Sequence, residues 1–257
     1  MSDRPLILVS NDDGIDAPGL KALVEAVSPL GEVRVVAPER QQSAVGHAIT
    51  MQQPLRAYPH RRSGRLWGTA VTGTPADCVK LALAKLLERR PDLVVSGINH
   101  GSNTSTNVLY SGTVSAAAEG ALYGIPSIAF SLCEQNWEAD LSAARQIASR
   151  IAAEVLRRGL PQGVLLNVNI PPLPLEQIQG IRVTRQAQAR WIEEFDSRTD
   201  PFNRTYYWLT GTFVNFDEGE DTDEAAIAAG YVSITPIHYD LTAYAALEEL
   251  RRWPWSF

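Results

Sequence analysis

The sequence predicts an α/β protein with a doubly wound, mostly parallel sheet and a C-terminal β-hairpin arm for oligomerisation. Three observations carry this. Leu6-Ile7-Leu8-Val9 is a short apolar run closed by the polar turn Ser10-Asn11-Asp12-Asp13-Gly14, as in a strand buried on both faces. A helical pattern and a second apolar run follow before Pro38, and strand, helix, strand in that order makes a right-handed unit with parallel strands. Beyond Pro171-Pro172-Leu173-Pro174 the pattern turns to extended aromatic segments. That run therefore separates a core over residues 1–174 from an arm over residues 175–257, whose terminal strand and helix return to the core.

A chain of 257 residues can bury a substantial core, and 45% hydrophobic with 20% charged residues is the balance of an ordinary globular protein. The net charge of -6 argues against a protein that coats nucleic acid, so no stable nucleic-acid complex is expected. Cys78 and Cys133 are the only cysteines, which excludes a disulfide framework and a paired-cysteine zinc motif. The amino-terminal apolar run is too short for a signal-peptide core, and no stretch approaches the roughly 18 apolar residues that span a bilayer. A cytoplasmic protein with no membrane partner is the expectation.

After the first strand, Pro18 and Gly19 introduce Leu20, Leu23, Val24 and Val27, whose spacing makes one helical face directed at the sheet. Val33 to Ala37 is the second strand, and Glu39 to Ile49 a long polar loop in which His47 has no local partner and reads as a loop residue. Leu55–Tyr58 and Leu66–Val71 form a hairpin with the basic tip His60 to Arg65. Thr74 caps the next helix, Pro75 suits its first position and Asp77 its first turn. In that helix Val79, Leu83 and Leu86 face the core, and Arg89 and Arg90 close it. Strands at Pro91–Gly97, Ile125–Ser131 and Gly163–Ile170 alternate with helices at Val114–Tyr123 and Glu138–Arg158. In the arm, Ile181–Thr184, Tyr206–Leu209 and Gly211–Val214 read as strands separated by polar loops at Asp196–Asn203 and Asp217–Glu224. Exposed aromatic strands of this kind fit a partner subunit. Val232–Thr235 and Leu241–Arg252 then return to the body.

Ligands of open α/β sheets bind beyond the carboxyl ends of the strands, where Asp12 and Asp13 fall. Neighbouring like charges repel unless a proton or cation lies between them, and such oxygen-rich sites suit hard divalent ions. Ser43 in the polar loop and Asn99 after the third core strand offer further oxygens at the same sheet edge. Ser111, Gly112 and Thr113 open a helix, where free backbone amides and hydroxyls make an anion cradle that fits a phosphate. Each feature also has a plain explanation: Asn-Asp-Asp-Gly is a good turn, Ser111 to Thr113 a good helix cap, and His100 a surface loop histidine. Their convergence on one edge favours a site.

SNDDG-x-x-AP-G-L, VVAP with a Ser-bearing loop, TGTPADCV, VVSGIN-x-G-x-N, YSGTV-x-AA-x-EG, LNVNIP and ITPI-x-x-DLT together resemble the survival protein E family, SurE, of metal-dependent 5′/3′-nucleotidases. The likeness is dense from Leu6 to Phe130 and sparser to Asp240. It implies a Rossmann-like fold and a hydrolase that removes phosphate from nucleoside monophosphates. It further implies one divalent cation per subunit, Mg²⁺ or Mn²⁺, held by Asp12, Asp13, Ser43 and Asn99. Asn103 and the turn Ser111-Gly112-Thr113 would lie beside the substrate phosphate, and the arm would build a homodimer or homotetramer. Between Asn103 and Tyr110, where relatives commonly carry a Gly and one or two acidic residues, this chain has Thr104, Ser105, Thr106 and Asn107.

The expected chemistry is attack of a metal-activated water on the phosphoryl group, with Asp12, Asp13 and Asn99 at the catalytic centre. A phosphatase acting through an aspartyl phosphate is an alternative, although such enzymes space their two aspartates one residue apart. A non-catalytic nucleotide-binding protein is another; the absence of Gly-x-Gly-x-x-Gly after the first strand weighs against a dinucleotide site.

Overall fold

The computed structural model describes residues 4–255; the three residues before and the two after, which the sequence assigns to the ends of core and arm, lie outside it. In chain order the body contains β1 (Leu6–Ser10), α1 (Pro18–Val27), β2 (Glu32–Pro38), β3 (Ala57–Arg62), β4 (Arg65–Val71), α2 (Pro75–Leu81), β5 (Leu93–His100), α3 (Gly112–Leu122), β6 (Ser127–Leu132), α4 (Ser142–Arg158) and β7 (Val164–Ile170). There follow β8 (Ile181–Val183), β9 (Ala189–Thr199), β10 (Thr205–Asn215), α5 (Asp223–Ala228), β11 (Val232–His238) and α6 (Tyr244–Arg251).

One nine-stranded sheet runs β3-β4-β2-β1-β5-β6-β7-β11-β8. From β4 to β7 all neighbours are parallel, and β3 and β11 pair antiparallel with β4 and β7. Strand order reverses about β1, the chain crossing from β2 on one side to β5 on the other. In doubly wound sheets such a switch point opens a crevice at the carboxyl ends. Helices α1 and α4 cover one face with Leu20, Leu23, Ile147 and Ile151 against Ile7, Val9 and Val95. Helices α2 and α3 cover the other, where Cys78, Val79 and Ala116 meet Leu8, Val36 and Val94. Burying each large side chain contributes about 1.5–3 kcal/mol, so the two layers hold β1 and β5 rigidly at the centre.

Gly97, at φ +118°, lies where an added Cβ would come within 2.2 Å of the Phe130 carbonyl oxygen. Only glycine lets β5 run this close beside β6 just before Asn99.

Several expectations are corrected. Helix α2 gives way to a π-helical turn over Ala82–Leu86, so Leu86 is exposed and Leu83 only half-buried. Arg89 and Arg90 lie beyond it, with Arg89 bonded to Asp92. Helix α4 begins at Ser142, four residues after the sequence places it, because Glu134 to Asp140 close local side-chain turns instead. Asp196 to Thr199 belong to β9, and the two aromatic segments after them are one strand, β10; the loop shrinks to a turn closed by Asp200. Polarity concealed β9 because both faces of this hairpin are solvated. The terminal strand β11 joins the sheet, whereas α6 buries none of its residues.

Candidate active site

β1 and β5 are paired in register through Ser10 and Ser96, so the residues that follow them emerge side by side. A cleft of about 340 Å³ opens there, lined among others by Asp12, Asp13, Ser43, Asn99, Asn103 and Ser111. Four separate loops meet in it. The loop after β2 is fixed by Gln42 N–H donating to the Asp12 carbonyl oxygen (2.7 Å) and Gly46 N–H to that of Tyr110 (3.0 Å), which brings Ser43 to the cleft. Gln41 Nε2 donates to Ser43 Oγ at 2.9 Å.

Asn103 is clamped to the sheet. Its backbone N–H donates to Asn169 Oδ1 (2.8 Å), its Nδ2 to Ser131 Oγ (2.7 Å), and its carbonyl accepts from Asn167 Nδ2 (2.7 Å). Those partners occupy β6 and β7, which gives the asparagines of LNVNIP a physical role: they satisfy a buried loop that would otherwise leave backbone groups unpaired.

Asp12 is 5% exposed, and Asp13 Oδ2 is buried with no hydrogen-bond partner among the described residues. Burial, with a smaller push from Asp13, raises the Asp12 carboxyl to about 6 against the pull of its Thr113 hydrogen bond. A carboxyl whose folded pKa lies above its unfolded value of 3.8 binds protons more tightly in the fold. Its contribution to stability is therefore greatest below pH 4 and declines as pH rises through 6. In chelator, melting temperature is expected to fall between pH 5 and pH 7.5, by an amount that Asp12→Asn reduces.

Two other expected phosphate contacts are placed differently. Thr113 is fully buried and its hydroxyl donates to Asp12 Oδ1. Gly112 packs on the same side chain: an added Cβ would lie 2.7 Å from Asp12 Cβ and 3.0 Å from Pro75 Cγ. Neither residue lines the cleft, so both serve to hold Asp12. Ser111 does line it, while its Oγ also accepts from Val114 N–H as the N-cap of α3.

Asn99 Nδ2 donates to the Gly101 carbonyl at 2.8 Å, which commits the nitrogen and leaves the amide oxygen as the atom suited to a cation. The resulting set is two carboxylates, a hydroxyl and an amide oxygen. Among the described residues no group of three or more His, Cys, Asp and Glu is arranged to hold a metal, and this all-oxygen set contains only two such residues, Asp12 and Asp13. An uncompensated carboxylate oxygen beside a second buried carboxylate fits a hard divalent ion.

Two histidines depart from their expected roles. His100 is no surface residue: its side chain is 1% exposed, stacks on Trp137 at 5.2 Å and brings Nδ1 to 3.9 Å from Asp13 Oδ2. His47 Nε2 lies 2.8 Å from Glu119 Oε2, and Lys80 Nζ donates to Glu119 Oε1 at 2.6 Å. Glu119, 2% exposed on α3, thus ties the Ser43 loop and α2 to the helix that carries Ser111. Burial raises the Glu119 carboxyl, but hydrogen bonds from His47 and Lys80 outweigh it and hold it below the usual range. None of the three is near another in sequence, and only the EG of the α3 motif signals one of them. Glu119→Gln is expected to lower stability by about 1–2 kcal/mol, less than for a fully buried pair because Lys80 and His47 are both partly solvated. Thermal unfolding checks this, and an unchanged melting temperature would contradict it.

The family model described as Survival protein SurE matches residues 7–193. The chain is 53% identical to the 5′-nucleotidase SurE of Christiangramia forsetii, with 97% of each chain covered. It is also 53% identical to the 5′-nucleotidase SurE of Cytophaga hutchinsonii, covering 99% of this chain and 98% of that one. The crystal structure of the SurE protein from Aquifex aeolicus superposes with a TM-score of 0.84 at 42% identity, over 96% of this chain and 98% of that chain.

Proposed function

Because the chain belongs to the survival protein SurE family, we propose that it is a divalent-cation-dependent 5′-nucleotidase, hydrolysing nucleoside monophosphates to nucleoside and phosphate. The observation that carries this reading is the buried Asp12–Asp13 pair with its unpartnered oxygen, open to a cleft that also presents Ser43, Asn99, Asn103 and Ser111.

Asp12, Asp13, Ser43 and Asn99 hold one cation, Mg²⁺ or Mn²⁺. When bound, the cation polarises the phosphoryl oxygens and lowers the pKa of the attacking water. The chain's own groups do the rest. Thr113 fixes one oxygen of Asp12, leaving the other for the cation. Ser111 donates its hydroxyl, and Asn103 its amide, to equatorial oxygens as charge shifts onto them; both are held in place before substrate arrives. Asp13 orients the water and accepts its proton.

At a hundredfold excess over Kd, Mn²⁺ at pH 7.5 is expected to stabilise the fold by about 2.7 kcal/mol, or roughly 5–10 °C. A screen of phosphate release from nucleoside 5′- and 3′-monophosphates across divalent ions tests the activity; no cation-dependent release from any of them would overturn the reading.

The free thiols Cys78 and Cys133 suit a reducing cytoplasm, where we place the protein. Phe195, Tyr207 and Trp208, all more than half exposed on the β9–β10 hairpin, support assembly of dimers or tetramers through the arm.

A further inference from the structure

A second, predominantly apolar cavity of about 670 Å³ adjoins the cleft and shares Ala44, Asn107, Tyr110 and Trp191 with it; Glu193 and the run Leu209 to Gly211 complete its wall. Along that shared wall Asp12 and Asp13 mark a polar end and Trp191 of the hairpin an aromatic end.

The aromatic end is built, not incidental. Trp191 Nε1 donates to Asn107 Oδ1 at 3.1 Å, and its ring tilts onto Phe213, its cross-strand partner, at 5.8 Å. Both contacts fix the ring's orientation, yet 46% of the residue remains exposed, which leaves aromatic surface free for a ligand. The strand beneath is anchored: Ser105 Oγ donates to the Ala189 carbonyl at 2.6 Å and accepts from Ala189 N–H at 2.9 Å, and Thr106 Oγ1 donates to the same carbonyl at 2.9 Å. The neutral side chains of Ser105, Thr106 and Asn107 thus seat β9 and orient Trp191.

Resting on the phosphatase reading above, we propose that Trp191, oriented by Asn107 and lining the same cavity as Tyr110, is a stacking platform for the nucleobase of the substrate. A phosphate held at Ser111 and Asn103 directs the rest of a mononucleotide along the shared wall toward the indole. Rigid aromatic faces with few charges recognise planar heterocycles with little regard to their hydrogen-bonding edge. The platform therefore selects nucleotides over phosphomonoesters that lack a base, with purines favoured by their larger stacking area.

The test uses the full chain with Mn²⁺ and two probes, AMP and ribose 5-phosphate. Trp191→Leu is expected to lower the AMP-to-ribose 5-phosphate ratio of kcat/KM by about tenfold or more, chiefly through the KM for AMP. Trp191→Phe, which keeps a ring without the indole donor, is expected to retain part of that ratio, and Asn107→Ala to lose part of it. An unchanged ratio in Trp191→Leu, with circular dichroism as in the wild type, would overturn the proposal. So would a fall that Trp191→Phe does not relieve, which marks a packing role alone. If the wild type releases phosphate from neither probe with any divalent ion, the hydrolase reading fails. Calorimetric Kd values for AMP, in the wild type and Trp191→Leu, then decide the platform on their own.

Discussion

Asp13→Asn is expected to lower phosphate release from nucleoside 5′-monophosphates by about a thousandfold or more at saturating Mn²⁺, equivalent to roughly 4 kcal/mol of transition-state stabilisation. The substitution is nearly isosteric. It removes one of two negative charges and exchanges one oxygen for a nitrogen that cannot ligate a cation. Because Asp13 Oδ2 has no hydrogen bond to lose among the described residues, the variant folds as well as the wild type, and its melting temperature in chelator is at least as high. Loss of activity without loss of fold separates this from simple unfolding. The stabilisation by Mn²⁺ disappears in the same variant. Wild-type turnover in Asp13→Asn would remove the aspartate pair from the mechanism.

Gly112→Ala gives the second large effect, through geometry alone. The added methyl would lie 2.7 Å from Asp12 Cβ, closer than two carbons tolerate, and tightly against Asp12 Oδ2 at 3.1 Å, with Pro75 at 3.0 Å on the other side. Something must move, and Asp12 has the cleft to move into. A displacement of a few tenths of an ångström to 1 Å at a catalytic group costs about a hundredfold in rate. Alanine is itself a good helix residue at the start of α3, so the cost to folding is about 1–3 kcal/mol of overpacking and no more. Parallel measurement of kcat and of thermal unfolding distinguishes the two. A variant with wild-type kcat would show that contact between α3 and Asp12 does not set the position of the carboxylate.

The body of the fold was legible because its strands are buried on both faces. Leu6 to Val9 and Leu93 to Val95 are all fully or almost fully buried, and a continuous apolar run is how such strands are written. β9 was not legible, since Arg190 to Thr199 mixes Trp191, Ile192 and Phe195 with charged and polar residues without a period of two, on a solvated ribbon. The terminal helix was amphipathic enough to suggest burial, but none of its residues is buried among the described residues.

At the site, sequence order after a core strand was enough to bring Asp12, Asp13 and Asn99 together, because strand ends in a parallel sheet share one edge. Ser43 and Ser111 joined them from loops on either side. What could not be read was the direction in which each side chain points. Thr113 turns back to Asp12, His100 inserts beneath Trp137, and His47 reaches across 72 positions to Glu119. Such contacts depend on how α3 and the loops after β2 and β6 pack, for which no local pattern of charge or hydropathy exists.

The central claim is that oxygens from the loops following β1 and β2 and from the carboxyl end of β5 chelate a single cation beside Ser111 and Asn103. Anomalous diffraction from a crystal soaked in Mn²⁺ tests it directly. The expected result is one strong peak within about 2.5 Å of oxygens of Asp12, Asp13, Ser43 and Asn99, and none in crystals of Asp13→Asn. A peak elsewhere on the chain, with the Asp12–Asp13 pair free of the ion, would contradict it.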